Sequence, residues 1–161
     1  MARTPAPPSD DWLDLRCACA STRRAARALT QLYDGFLGEH GIEAAQFALL
    51  STIQGLGPTS QVAVGRALGL DKTTLSRNVR VLARAGWVEA SESATGRERG
   101  LAVTAEGRRV LTAAGPAWHA AQTALRTSID AERWREVHAT LRLLTDAARQ
   151  ATRTERNRRA R

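Results

Sequence analysis

The segment from Asp71 to Ala85 constrains the fold most, because its residues divide into two contrasting faces at helical spacing. Leu75, Val79 and Leu82 fall on one side, as residues that pack against a core do. The opposite side is polar and basic, with Thr73, Arg77, Arg80 and Arg84, and with Ser76 beside them. Such a helix is either a solvated surface helix or one that enters the major groove of DNA and bonds to phosphates and base edges.

The neighbouring segments favour DNA binding. Thr59 or Ser60 is predicted to cap a short helix that ends at Leu68, and Gly69 then provides a turn. Asp71 is predicted to cap the amphipathic helix. Beyond Gly86, two short runs at 87–92 and 101–104 flank a polar tip at 93–100 and predict a β-hairpin. This order of elements is that of a winged helix-turn-helix.

The rest of the chain is predicted to be helical apart from its ends. Aromatic residues make up only 4% of the sequence, so the core must consist mainly of Ala, Leu and Val, which favours helices. The other predicted helices span 12–38, 43–54, 105–127 and 130–153, with an interruption or bend near Gly115-Pro116. We expect a disordered, proline-rich leader at 1–11 and a frayed basic tail at 154–161.

The charge of the chain indicates an anionic partner. The formal net charge is +8, and Lys72 is the only lysine among the 24 basic residues. This surplus of arginine is typical of proteins that bind nucleic acid or anionic membranes, although a GC-rich genome would also produce it. The sequence contains neither a signal peptide nor an apolar run long enough to span a bilayer, so we expect a cytoplasmic protein.

The residue types that usually carry catalysis or bind metal ions form no clear motif in this sequence. His40, His119 and His138 lie on three different segments, and no nucleophile elbow or phosphate loop is present. Cys17-x-Cys19 with a distant histidine is too little for a zinc site, and two cysteines do not make a disulfide-stapled scaffold. We therefore predict no enzyme activity, no cofactor and no metal. A membrane-surface protein is also disfavoured, because the aliphatic stripes are typical of packing between helices.

Four stretches of the sequence resemble the MarR family of bacterial transcriptional regulators. They are 41–50, 68–82, Gly86-Trp-Val-Glu89 and Val103-Thr-Ala-Glu-Gly107, and their order is more specific than any one of them. The resemblance implies a mainly α fold with a small β-hairpin wing, in which 42–104 forms the DNA-binding lobe. It also implies a homodimer, held together by helices within 12–40 and 105–153. The apolar residues expected at this interface are Trp118, Leu125, Ile129, Trp134, Leu141 and Leu144.

A two-fold dimer places its recognition helices about one DNA turn apart, which predicts a pseudo-palindromic operator. We expect a sequence-specific regulator that binds this operator and represses transcription. The alternative is an architectural protein that binds DNA without sequence preference. The candidate DNA-binding residues are Lys72, Thr73, Thr74, Ser76, Arg77, Arg80, Arg84, Arg97 and Arg99. The resemblance assigns Arg97 to the minor groove, but Thr95 stands where the family has an aspartate that orients this arginine.

The resemblance also implies an effector. Family members bind small, often aromatic, ligands between the DNA-binding lobe and the dimerisation helices. Cys19 matches the reactive cysteine of the branch that senses organic hydroperoxides, and Tyr33 matches one of its tyrosines, while Ala44 replaces a second. Arginines near Cys19 would stabilise a thiolate. Cys17, two positions away, is a poor disulfide partner inside a helix, and both cysteines are alternatively small residues that fill a dimer interface.

Overall fold

Helices dominate the computed structural model, which describes residues 17–92 and 99–160. Its elements in chain order are α1 (Ala18–Leu37), α2 (Ala44–Leu56), β1 (Thr59–Ser60), α3 (Gln61–Leu68), α4 (Lys72–Arg84), β2 (Val88–Glu92), β3 (Arg99–Val103), α5 (Ala105–Thr127) and α6 (Ala131–Arg159). The predicted mainly α fold with a small β wing is therefore confirmed. The leader at 1–11 lies outside the described residues.

The wing is larger than the predicted hairpin. β2 and β3 pair antiparallel with Val88 opposite Val103, and β3 begins at Arg99, so the tip is shorter than the predicted 93–100. On its other edge β3 pairs with β1, which gives a three-stranded sheet in the order β1-β3-β2. The sequence did not predict β1, because a strand of two residues has no alternation pattern. β1 is a strand because its backbone pairs with β3, where Thr59 lies opposite Leu101.

Two helices continue where the sequence predicted a break or an end. α5 runs through Pro116 without interruption. Ala114, just before the proline, is fully buried, and Ala117 and Trp118, just after it, pack on the same core, so tertiary packing holds the turn despite the missing N–H. α6 extends past Arg153 to Arg159, so the segment predicted as a frayed tail is helical almost to its end.

The chain forms two units, and the boundary falls within α5 between Trp118 and His119. The core of the first unit gathers apolar residues from α1, α2, α3, α4, the wing and the start of α5. Its largest fully buried side chains are Leu37, Ile42, Leu49, Leu50, Ile53, Val64 and Leu82. Trp118, which the sequence assigned to a subunit interface, stacks on Phe47 with ring centroids 6.0 Å apart and so belongs to this core.

The second unit buries little of its own apolar surface. Ala121 is fully buried, but α6 contains no buried residue. Val137, Leu141, Leu143 and Leu144 of α6 are exposed, while Leu125, Ile129 and Trp134 are half-buried. None of the helices in the described part of the chain is both long and apolar enough to cross a membrane.

A carboxylate ties α1 to the start of α2. α1 ends at Leu37, and a short 3-10 turn at Gly38–His40 leads to Gly41, whose φ of 68° is left-handed. Asp34 then accepts a 2.7 Å hydrogen bond from the backbone N–H of Ala44, the first residue of α2. Because the first N–H groups of a helix have no intrahelical partner, Asp34 serves as a cap supplied by the preceding helix.

Candidate nucleic-acid interface

The turn between α3 and α4 is built from three local devices. Ser60 caps α3 by accepting from the N–H of Ala63, as predicted. Gly69 adopts the left-handed conformation with φ 67°, and the N–H of Leu70 donates to the carbonyl of Gly65 at 2.9 Å. A Cβ on Gly65 would lie 3.3 Å from Cδ2 of Leu75, so α3 and α4 touch closely here. The two helices therefore form a tight helix-turn-helix.

α4 has the two faces that the sequence predicted. Leu75, Val79 and Leu82 are buried, with at most 7% of their surface exposed. The other side faces solvent: Lys72, Thr73, Thr74, Arg77, Arg80 and Arg84 are exposed, and Ser76 is half-buried. This helix therefore presents hydroxyl and guanidinium groups on a rigid, core-anchored element.

Five of the nine candidate DNA-binding residues line one concave surface on α4. They are Lys72, Thr73, Ser76, Arg77 and Arg80. Arg84 lies in the last turn, about 10 Å further along the helix axis than Arg77. Arg66 is exposed in the last turn of α3 and adds a basic residue that the sequence analysis did not select. Its only signal was its position in the predicted helix-turn-helix.

Thr74 has a structural role that the sequence analysis missed. Its hydroxyl donates a 2.7 Å hydrogen bond to Oδ2 of Asp71, and its N–H donates to Oδ1 of the same carboxylate. Phosphate oxygens only accept hydrogen bonds, so the Thr74 hydroxyl has no proton for them while it bonds to Asp71. A hydrogen bond from the Thr74 hydroxyl to a phosphate would therefore compete with the cap of α4, whereas Thr73 donates only its backbone N–H to Asp71.

The cap makes the stability of α4 depend on pH. The N–H and then the hydroxyl of Thr74 lower the pKa of Asp71 below its usual 3.8. An aspartate with a lowered folded-state pKa stabilises the fold above its unfolded-state pKa, and this stabilisation disappears as the pH falls through the folded-state value.

We therefore expect Asp71→Asn to flatten the acid limb of the stability curve. Asparagine keeps the capping geometry but does not titrate. Between about pH 5 and about pH 2, the Tm of the wild type should fall more steeply than that of the variant, as followed by circular dichroism. Parallel curves for the two proteins would show that Asp71 does not contribute to acid unfolding.

The base of the wing is fastened to α4 and α5. The hydroxyl of Thr104 donates to the carbonyl of Gly86 at 2.7 Å, and the N–H of Gly107 donates back to that hydroxyl at 3.0 Å. Arg108 donates from Nη1 to the carbonyl of Val103. This junction was not predicted from the sequence, although Thr104 and Gly107 both belong to the stretch Val103-Thr-Ala-Glu-Gly107 that resembles the MarR family.

The tip of the wing, with Arg97, lies outside the described residues, and its minor-groove contact stays a prediction. The backbone of Arg99 is part of β3, opposite Glu92. The contribution of Arg99 to DNA binding likewise stays a prediction.

The two cysteines lie at the start of α1 and are both exposed. Cys19 is in the first turn, but Cys17 is the N-cap residue with an extended backbone, φ −85° and ψ 103°. Cys17 therefore lies outside the regular helix, and the prediction that both cysteines are inside it is wrong. Tyr33 is half-buried against the core, and burial raises its pKa. It lies about 21 Å from Cys19 along the same helix, so the two cannot touch within one chain.

Within 17–92 and 99–160, no three His, Cys, Asp or Glu side chains are grouped so that they could hold a metal ion.

Comparisons with known proteins agree with the geometry of α3, α4 and the wing. A sequence profile of the MarR family matches residues 40–98. The chain is similar to the transcriptional regulator MosR of M. tuberculosis in complex with DNA, with 37% identity and a TM-score of 0.71, over 83% of this chain and 99% of that one. A second MosR structure matches with 34% identity and a TM-score of 0.69, over 83% and 98% of the two chains.

The regulator PcaV of Streptomyces coelicolor, in complex with its natural ligand, shares the fold. Its TM-score is 0.74 at 23% identity, over 92% of this chain and 99% of that one. No curated protein sequence gives a significant match.

Proposed function

The chain belongs to the MarR family of DNA-binding transcriptional regulators, and from that premise we propose that it is a homodimeric repressor of a pseudo-palindromic operator. The observation that carries the proposal is the two-faced α4, whose apolar side is buried while its hydroxyl and guanidinium groups are exposed together. A helix held in this way reads the major groove, and a two-fold dimer repeats the reading one DNA turn away. We propose that the protein acts in the cytoplasm by binding and not by catalysis.

Within the operator, we propose different roles for the residues of α4. Arg77 projects from the middle of the exposed face and suits the paired O6 and N7 acceptors of guanine. Lys72 and Arg80 suit phosphates, which position the protein without reading sequence. Thr73, Ser76 and Arg84 complete the surface, and we propose that Arg97 and Arg99 of the wing follow the adjacent minor groove.

We propose that helices within 12–40 and 105–153 form the dimer interface, and that 42–104 is the DNA-binding lobe. Unpartnered apolar side chains on the two helical segments support this. Leu29 and Phe36 of α1 and Val137, Leu141 and Leu144 of α6 are all more than a third exposed in the single chain. Solvent exposure of so many large side chains on helices is typical of surfaces that a second copy covers.

The experiment that tests the function is selection of bound fragments from random or genomic DNA by the purified protein, followed by footprinting. A repressor recovers one inverted-repeat sequence and protects a site of fixed length. The architectural alternative, which the family does not favour, recovers unrelated fragments and extends its protection as protein is added. Recovery of no enriched sequence would contradict the operator proposal.

We propose that oxidation of Cys19 releases the operator. Two exposed cysteines at the start of α1 are accessible to a peroxide, which would oxidise a thiolate to sulfenic acid and then to a mixed or intersubunit disulfide. Any contact of Cys19 with Tyr33 would have to come from the second copy, because about 21 Å separates them within one helix. A small aromatic ligand is the alternative effector, and it would raise the Tm of the protein.

Cumene hydroperoxide is therefore expected to abolish the gel shift of wild-type protein on its operator and to leave that of Cys19→Ser unchanged. Cys17→Ser is the matched control, since it lies two residues away and is equally exposed. A disulfide between the two cysteines would make both variants resistant, whereas a bond to another thiol would protect only Cys19→Ser. Release of both variants by peroxide, or continued binding by oxidised wild type, would contradict the proposal.

A further inference from the structure

Five arginines form one stripe along α6. Arg135, Arg142, Arg149 and Arg156 recur every seven residues, and Arg153 lies beside them. Seven residues are about 20° short of two full helical turns, so all five fall within about 60° around the helix axis and extend over about 32 Å. Each of these side chains is exposed. We call this set the arginine stripe.

The arginine stripe is largely free of carboxylates. Among the residues that the structure describes, only Arg149 of the stripe has an ion-pair partner, Asp146 at 4.0 Å. The arginines of α6 that lie off the stripe are paired instead. Arg133 contacts Asp130, and both Arg158 and Arg159 contact Glu155. The stripe therefore concentrates uncompensated positive charge on one side of the helix.

The stripe does not belong to an apolar docking face. Trp134, Val137, Leu141 and Leu144 lie on a side of α6 that is about 110° away around the axis. Beyond Leu144 the chain has no apolar side chain larger than alanine, while residues 147–161 contain six arginines and one acidic residue. A helix that lies in a membrane surface needs large apolar anchors, and a protein interface needs aromatic or aliphatic ones. This stripe suits a hydrophilic polyanion.

We propose that the arginine stripe of α6 binds the phosphate backbone of duplex DNA independently of sequence, as a second surface in addition to α4. The guanidinium group matches phosphate by paired hydrogen bonds, and a row of such groups every 10 Å or so follows a linear array of phosphates. Such contacts add affinity and salt dependence without adding discrimination between sequences. The inference goes beyond operator reading, since it concerns DNA of any sequence.

The test is the salt dependence of binding to an unrelated duplex and to the selected operator, measured by fluorescence anisotropy. In the triple variant Arg142→Gln/Arg153→Gln/Arg156→Gln, three phosphate contacts per protomer are lost. The slope of log K against log salt should then become shallower by about 2.7 per protomer, and affinity at low salt should fall at least roughly tenfold on both DNAs. The unrelated duplex alone carries the test, so failure of the operator proposal leaves it intact.

The matched control is Arg133→Gln/Arg158→Gln/Arg159→Gln, which removes the same charge from the same helix at the three paired positions. Glutamine and arginine have similar helix propensities, so both variants should keep their helicity and their assembly mass. An unchanged slope in the stripe variant would overturn the proposal. So would an equal change in the control, which would reflect net charge only, or a changed assembly mass, which would assign the stripe to a subunit contact.

Discussion

Gly107→Ala is expected to lower the free energy of unfolding by about 2 kcal/mol, because no space exists for a methyl group at this position. A Cβ there would lie 2.8 Å from Cγ1 of Val103 and 3.1 Å from the carbonyl carbon of Trp87, and still closer to the carbonyl oxygen of Trp87. That oxygen accepts a hydrogen bond from the N–H of Thr104. The first turn of α5 would have to move away from Trp87 and Val103 at the base of the wing, which disturbs this bond.

Urea unfolding followed by circular dichroism measures the loss. Gly55→Ala is the matched control, since Gly55 is also inside a helix but nothing lies within 4 Å of its Cβ position. Alanine is the better helix former, so this control should be neutral or stabilising by less than about 1 kcal/mol. If Gly107→Ala is as stable as the wild type, α5 shifts at no cost in free energy of unfolding. That result would contradict the close packing that we describe at the base of the wing.

Arg77→Ala is expected to weaken operator binding by about 1–3 kcal/mol, or roughly 5- to 150-fold, with a much smaller effect on unrelated DNA. Arg77 is exposed in the middle of α4, between half-buried Ser76 and half-buried Asn78. A bidentate contact to guanine is lost completely when the guanidinium is removed. The measurement is the dissociation constant for operator and for an unrelated duplex of equal length, at one salt concentration.

Two further variants separate base reading from charge. Arg77→Lys keeps the positive charge but not the planar fork, so it should lose most of the preference for the operator. Arg109→Ala removes one exposed arginine from α5, where it pairs with Glu106, and should change both affinities little. Equal losses on the two DNAs for Arg77→Ala would assign Arg77 to phosphate binding.

Local patterns predicted the DNA-binding lobe well. Two local signals predicted α4: the cap residue Asp71 and the helical period of the apolar residues Leu75, Val79 and Leu82. Both signals depend only on residues that are close in sequence. The glycine at position 69 likewise predicted a turn, and it adopts the left-handed conformation there. The exposed face of α4 was predictable for the same reason, because it is the side of the helix opposite the buried apolar stripe.

The features that the sequence did not predict depend on contacts between distant residues. β1 has two residues and exists only because β3 passes beside it. Thr74 looked like a free hydroxyl because nothing in the sequence shows which acceptor it faces, and Gly107 gave no sign that it lies against Trp87. Pro116 signalled a break that the core on both sides of it prevents.

The hydrogen bond between Asp34 and the N–H of Ala44 couples the orientation of α1 to that of α2. α1 has 20 residues and so is about 30 Å long, with the cysteines at its first turn and Asp34 near its last. If the helix moves as a rigid rod, a displacement of 3 Å at the cysteine end corresponds to a tilt of about 6° at the end that holds α2. The first turn of α2 receives that rotation through the carboxylate as well as through the chain. A covalent change at the cysteines that displaces the start of α1 would therefore also rotate the first turn of α2, which belongs to the DNA-binding lobe.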